Sequence, residues 1–248
     1  MKATIQKTKL YFPSPRAQLV DRPRLLEQLD RLKSPSHPIG LISAPAGSGK
    51  TTLILQWLSG QHNLPTGWIS LDPRDNQPAR FFTYFIAALQ RIYPGVGKEA
   101  SELLHLPGVN LEEVVTYLTN DLVEVTSPFL VILDDFHNIT DPLLCQAIDF
   151  LIDTRPAQMS LLLLSREDPP LQLARHRAND QLIEIRHDDL RFTLPEAITF
   201  LNQCMRLDLL SSQVEILESR TEGWIAGLQM AALSLQHRSD VDGFIRDF

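Results

Sequence analysis

An α/β fold with a parallel sheet, followed by a small all-helical part, is what this sequence predicts, on three observations. Short apolar runs of strand length alternate with amphipathic helical stretches through the first three quarters of the chain, as in βαβ units. Phe129-Leu130-Val131-Ile132-Leu133 is continuously apolar, which suits a parallel strand covered on both faces. The run Gly40 to Ser43 leads into Ala44-Pro45-Ala46-Gly47-Ser48-Gly49-Lys50-Thr51-Thr52, a strand, a glycine-containing loop and a helix start. The expected architecture has five strands with helices on both faces.

Residues 1–18 are rich in Lys, Pro and Arg and read as extended. Leu19 to Leu26 enters a helix with Pro23 in its first turn and Leu25, Leu26, Leu29 and Leu32 on its apolar face. Ser34 to Pro38 is a loop. The helix after the glycine loop carries Leu53, Ile54, Trp57 and Leu58 along one side. Gly67 to Asp72 is the second strand and Pro73 to Pro78 a polar loop. Phe81, Phe82, Phe85, Ile86 and Leu89 mark a helix whose aromatic stripe reads as core rather than a ligand box. Pro94 to Gly108 is irregular or holds a brief helix. Asn110 caps the next helix with Glu113 reaching back, and Leu111, Val114, Val115, Leu118, Leu122 and Val125 lie on its buried side.

The third strand ends in Asp134-Asp135. Asp141-Pro142 opens a helix with Leu144, Ile148 and Leu151 inward. Met159 to Leu164 is the fourth strand, ending in Ser165-Arg166, and Leu182 to Ile185 the fifth. The alternation then stops. Thr193 and Glu196 form a capping box, Ser212 and Glu215 another, and the last amphipathic helix runs from Trp224 to Gln236. The expected division is 1–190 for a nucleotide-binding domain with an N-terminal extension and 191–240 for a helical domain. Residues 241–248 are expected to begin a further domain.

Of 248 residues 44% are hydrophobic, enough to bury a core. A net charge of −7 argues against nucleic-acid binding by these residues alone. Cys145 and Cys204 are well separated, without metal spacing or a disulfide framework, and read as buried structural thiols. The first ten residues are basic and polar, unlike a secretory signal, and no apolar run is long enough to span a bilayer. A cytoplasmic protein with no membrane partner is expected.

The loop from Ala44 to Thr51 departs from G-x-x-x-x-G-K-[ST] only in Ala44 for the first glycine. That position needs a small residue more than positive φ. Gly47 and Gly49 let the backbone curl so that the N–H groups of Ala46, Gly47, Ser48 and Gly49 converge, with those of Lys50, Thr51 and Thr52 opening the helix. Lys50 is suited to bridge phosphates and the Thr51 hydroxyl to hold Mg²⁺. The alternative is a glycine turn that binds nothing. Asp134 stands where ligands bind in open α/β sheets, at a strand's C-terminal end, and can hold Mg²⁺. Asp135 is then free to polarise an attacking water; the alternative is that both acids only start a turn. Arg166, closing the next strand, is suited to sense a third phosphate if that strand lies between the two motif strands. Otherwise it is a surface arginine.

Several stretches together resemble the large LuxR-type, MalT-like transcription regulators of the STAND class of signal-transduction ATPases. They are Thr8-Lys9-Leu10, Leu19 to Leu26, Ala44 to Thr52, Trp68 to Asp72 with Asp75-Asn76, Phe81 to Leu89, Leu133 to His137, Ser165-Arg166, and Thr221-Glu222-Gly223-Trp224-Ile225-Ala226-Gly227-Leu228-Gln229. The resemblance implies a P-loop NTPase sheet of strand order 5-1-4-3-2, a helical domain, and then a winged-helix domain of which residues 241–248 are the start, with a repeat sensor and a helix-turn-helix beyond it. It implies an ADP-bound resting form, exchange for ATP on inducer binding, self-association, activation of transcription, and reset by slow hydrolysis. Carried to matching positions, Lys50 and Thr51 contact phosphates and Mg²⁺, Asp134 is the metal aspartate, Asp135 the water activator and Arg166 the sensor. Val20 and Arg22 lie by the adenine. Ile225 stands where many relatives of the wider class have a base-contacting proline. Inducer and DNA would be bound by domains absent here. Two other readings stay open: a dedicated P-loop ATPase or motor, and a module holding ADP only as a structural cofactor.

Overall fold

The computed structural model describes all residues except 1–4, 15–17, 62, 237 and 239. In chain order the elements are α1 (Pro23–Asp30), β1 (Ile39–Ser43), α2 (Lys50–Ser59), β2 (Thr66–Ser70), α3 (Pro78–Ile92), α4 (Lys98–Leu103), α5 (Leu111–Val123), β3 (Phe129–Asp134), α6 (Pro142–Thr154), β4 (Met159–Ser165), α7 (Ala174–Ala178), β5 (Leu182–Arg186), α8 (His187–Leu190), α9 (Leu194–Ile198), α10 (Ser211–Thr221), α11 (Ile225–Leu235) and α12 (Val241–Asp247). The strands form one sheet of order β2-β3-β4-β1-β5. Read from the other edge this is the expected 5-1-4-3-2. The β1–β4, β2–β3 and β3–β4 pairs are parallel, with Leu41 opposite Leu163, Ile132 opposite Leu162 and Trp68 opposite Ile132.

Packing divides the chain into two compact units. One comprises residues 1–13, 28–43 and 61–184; the other comprises 14–27, 44–60 and 185–248.

The first unit holds most of the sheet. Alternate strand residues Ile39, Leu41, Val131, Leu133, Leu161 and Leu163 join Phe81, Phe82, Phe85, Val115, Leu118 and Ile148 in one core, as the period of two along a strand requires. Ile42, Leu130, Ile132, Leu162 and Leu164, on the opposite face, are buried to within 1%. Both faces are therefore covered, as the uninterrupted apolar runs predict. A methyl at Gly40 would come within 2.7 Å of the Leu162 side chain and 3.1 Å of Leu32, so the central strand needs a glycine there. The aromatic stripe of α3 is core, with Phe81 stacked on Phe85 at 5.9 Å.

The second unit has its own core, built from Val20, Phe192, Ala197, Leu201, Val214, Leu217, Leu228, Ala231 and Leu235. Thr193 and Glu196 form the expected capping box on α9, which continues as a π-helical stretch through Thr199–Cys204. Gly223, at φ +68, ends α10 by donating its N–H to Glu218 O, a left-handed stop of the usual kind.

Four local expectations are corrected. The Ser212–Glu215 box does not form: α10 is capped two residues earlier, at Leu210, and Gln213 Oε1 accepts from Leu210 N at 2.8 Å. The longer glutamine reaches the N-terminal amide from the third helical position. Asn110 caps α5 by accepting from Glu112 N, without the return bond from Glu113. The part of the N-terminal stretch that lies within the described residues is not wholly extended, because Lys7–Leu10 forms a 3₁₀ turn. Cys145 is buried as expected, but Cys204 is only half-buried.

Candidate functional site

The C-terminal ends of the strands carry one group of candidate residues, all within the first unit. Ser43 closes β1 opposite Ser165 of β4, and Asp134 closes β3 opposite Ser70 of β2. Because β4 lies between β1 and β3, Arg166 follows the strand that separates the two motif strands, and it is exposed. Asp134 is 7% exposed, and its Oδ1 accepts from Asp135 N at 3.0 Å. Asp135 is left-handed, at φ 57 and ψ 41, which costs a non-glycine residue about 1 kcal/mol. This turn carries the chain sharply off the strand. It leaves the Asp135 side chain 46% exposed, with His137 Nδ1 3.8 Å from its Oδ1. The neighbouring Ser165 is fully buried, and its hydroxyl has no partner among the described residues. An orphaned hydroxyl at a sheet end is unusual in a satisfied interior and fits a polar ligand group.

The glycine loop and the helices after β5 carry the other group, within the second unit. Gly47 at φ +78 and Gly49 at φ +82 both take the left-handed conformation that turns successive N–H groups inward. Gly49 is the N-cap of the ten-residue α2, and Lys50 is its first residue. The Lys50 side chain folds back along its own loop and donates to Ala44 O at 2.6 Å and Pro45 O at 3.0 Å. Ala44 and Ser48 are both buried; Thr51 and Thr52 are half-buried, and Ala46 is exposed. Two curled glycines followed by a helix N-terminus and a lysine are the donor set for a polyphosphate. The hydroxyl of Thr51 and the carboxylate of Asp134 are oxygen ligands of the kind Mg²⁺ takes.

The start of α11 rests on this loop. Ala226 N donates to Gly47 O at 3.2 Å. A methyl built on Gly47 would lie 2.6 Å from Ala226 Cβ, and one built on Gly49 would lie 2.8 Å from Ile225 Cδ1. The indole N–H of Trp224 is buried without a partner among the described residues. His187 Nδ1 approaches Ser48 Oγ at 3.4 Å. Val20 packs in the core of this unit, and its carbonyl accepts from Gln56 on α2 at 3.1 Å. Arg22 is 4% exposed. Its guanidinium donates to Glu196 at 3.3 Å and to Arg191 O at 2.9 Å, and stacks over Phe192. Burial lowers its pKa, and Glu196 opposes that effect. The arginine thus shapes the Val20–Arg22 segment by holding α9. Sequence reasoning did not find His187, Trp224 or Ala226 as neighbours of the loop. Only the Thr221–Gln229 stretch marked the region, and nothing in His187-Asp188-Asp189 forms a motif.

A parallel strand running into a doubly left-handed glycine loop and a helix N-terminus, within a sheet of order 2-3-4-1-5, defines a P-loop module of the Walker type. No family model matches the chain. It is 38% identical over 229 residues, 92% of its length, to the HTH-type transcriptional regulator MalT of Serratia proteamaculans. It is 37% identical over the same share to that of Yersinia enterocolitica, and 35% identical over 94% to that of Cronobacter sakazakii. It spans about a quarter of the length of each of these relatives. Among solved structures it resembles the Walker-type ATPase PABY2304 of Pyrococcus abyssi, with TM-score 0.57, 17% identity, and coverage of 94% of this chain and 72% of that one. It also resembles the Aeropyrum pernix Orc1 protein in complex with DNA, with TM-score 0.50, 13% identity, and coverage of 94% and 65%. The chain is accordingly similar to a quarter of the length of MalT regulators, and its fold is that of a P-loop module. Among the described residues no helix is long and apolar enough to cross a membrane.

Proposed function

We propose that this chain is the adenine-nucleotide switch of a MalT-like transcription regulator. The observation that carries the reading is the loop itself: two left-handed glycines and Lys50 at the head of α2, in a chain 38% identical over 92% of its length to a MalT regulator. The N–H groups from Ala46 to Thr52 cradle phosphates and Lys50 bridges them. Thr51 and Asp134 hold Mg²⁺, which neutralises phosphate charge when bound. Asp135 takes the proton of the attacking water, and Arg166 distinguishes a triphosphate from a diphosphate by its added charge. Val20, Arg22 and Ile225 frame the adenine, Arg22 through the segment shape it maintains. ADP holds the resting form, ATP favours self-association, and slow hydrolysis resets the switch. Inducer and DNA are engaged by parts of the regulator beyond these residues.

Calorimetry tests this directly. The wild-type chain is expected to bind ADP and ATP, and Lys50→Ala to lose both. Equal binding by the two proteins, or none by wild type, overturns the assignment. The nucleotide released on denaturing the purified chain identifies the resting ligand.

A further inference from the structure

The N-terminal 3₁₀ turn Lys7–Leu10 carries a lysine that is buried, although lysine is among the residues most rarely found inside. The Lys9 side chain is 8% exposed and lies between two carboxylates. It pairs with Asp75 and, at 3.0 Å, with Asp72, and it sits 4.9 Å above the Tyr84 ring. Asp75 is completely buried, and Arg80 Nε and Asp72 N complete its hydrogen bonds at 2.8 Å each. Gln6 N donates to Tyr84 Oη at 3.1 Å, which ties the same turn to α3. This is more machinery than a surface loop needs, and it fastens residues 71–77 after β2 to the N-terminal segment.

Those residues are joined in turn to the acidic strand end. Leu71 N donates to Asp134 O at 2.9 Å. Asn138 Nδ2 donates to Leu71 O at 3.3 Å and to Asp135 O at 3.0 Å, bracing the left-handed turn at Asp135. Asn76 Oδ1 accepts from Thr140 N and Asp141 N at 2.8 Å each. A continuous set of hydrogen bonds, all within one unit, therefore runs from the Lys9 ammonium to the backbone of Asp134 and Asp135. A strained backbone conformation persists only where its surroundings over-determine it, and here Asn138 and the 71–77 loop are those surroundings.

We propose that Lys9 is a positioning residue for the acidic turn, acting through Asp72, Asp75 and Asn138, so that the N-terminal segment sets the geometry of the groups that handle Mg²⁺ and water. The inference rests on the nucleotide reading above. The test uses Lys9→Met, which keeps the stem and removes the charge, with Asn138→Ala as a second variant that leaves the ion cluster intact.

Hydrogen exchange is measured first, on the nucleotide-free chain. Exchange across 134–141 is expected to quicken about tenfold or more in Lys9→Met, with β4 unchanged, as local opening of one cooperative segment requires. Single-turnover ATP hydrolysis is expected to fall about tenfold or more, since small misplacements of reacting groups cost that much. Binding of ADP without Mg²⁺ should stay within about twofold of wild type, because the phosphate loop is untouched. Unchanged exchange at 134–141 in the folded variant overturns the proposal. So does faster exchange with unchanged hydrolysis, or an equal loss of hydrolysis and Mg²⁺-free binding. If Lys9→Met does not fold, Asn138→Ala decides by the same readouts. A wild type that holds no nucleotide overturns the functional reading and this role with it. A wild type that hydrolyses ATP no faster than either variant overturns this role alone.

Discussion

Replacing Gly47 by alanine probes the contact between the phosphate loop and α11 in a way that can be worked out from the structure. The new Cβ enters a backbone at φ +78, where an L residue costs about 1–2 kcal/mol. It also arrives 2.6 Å from Ala226 Cβ, well inside contact distance, and overpacking of this kind costs about 1–3 kcal/mol. Gly47→Ala should therefore destabilise the fold by about 2–5 kcal/mol. The two contributions separate in a double-mutant cycle. Ala226→Gly alone loses about 0.5–1 kcal/mol of helix preference but removes the methyl group that Gly47→Ala strikes. The double variant should be more stable than the sum of the single effects by about 1–3 kcal/mol, the overlap term. The φ term should remain. Urea unfolding followed by tryptophan fluorescence and by far-ultraviolet circular dichroism gives the four stabilities, provided the two probes coincide. Additivity within about 0.5 kcal/mol would show that Ala226 does not rest on Gly47 and refute the described packing.

Other outcomes follow from the same geometry. Asp135→Asn keeps a residue that tolerates the left-handed turn; hydrolysis should slow about a hundredfold or more while calorimetry still shows ATP bound, and an unchanged rate removes Asp135 from its role. Wild-type turnover should fall far below the roughly 1–100 s⁻¹ of phosphoryl-transfer enzymes built for flux; a rate inside that range favours a dedicated ATPase. Arg22→Met leaves Glu196 and two backbone carbonyls without their buried cation, so denaturation should show a loss of about 3 kcal/mol or more. Burial, aided by Asp149 and Asp141, pushes the Cys145 thiol up to about 11. Its folded pKa is thus above its unfolded one, so its stabilising contribution is complete below the unfolded value and is lost as pH rises toward 11. Stability curves of wild type and Cys145→Ala should diverge in slope only above about pH 8.5, and parallel curves there would contradict the assignment.

How much of this was legible in the chain varies by element. Phe129–Leu133 and Met159–Leu164 announced buried parallel strands because a strand covered on both faces has no polar side to display. The glycine loop announced itself because few residue types accept left-handed backbone. Ser212 and Glu215 misled, because a cap depends on which residue first leaves helical geometry, and Gln213 settled that two positions earlier. Lys9, Asp75 and Asn138 were not legible as partners. Lys9 lies 66 residues from Asp75, and Asn138 lies 67 from Leu71, and no local pattern records such pairings.

Residue order alone determined the alternation of strand and helix, the change to an all-helical part after β5, and the identity of the phosphate loop. Each is written in local periodicity or in backbone conformations open to few side chains. Tertiary structure decided the placing of β4 between β1 and β3, the resting of Ala226 on Gly47, the burial of Arg22 against Glu196, and the burial of Lys9 between two carboxylates. Those outcomes depend on which distant segments exclude water together, and on where a buried charge finds its counter-charge. Both are set by packing across the chain.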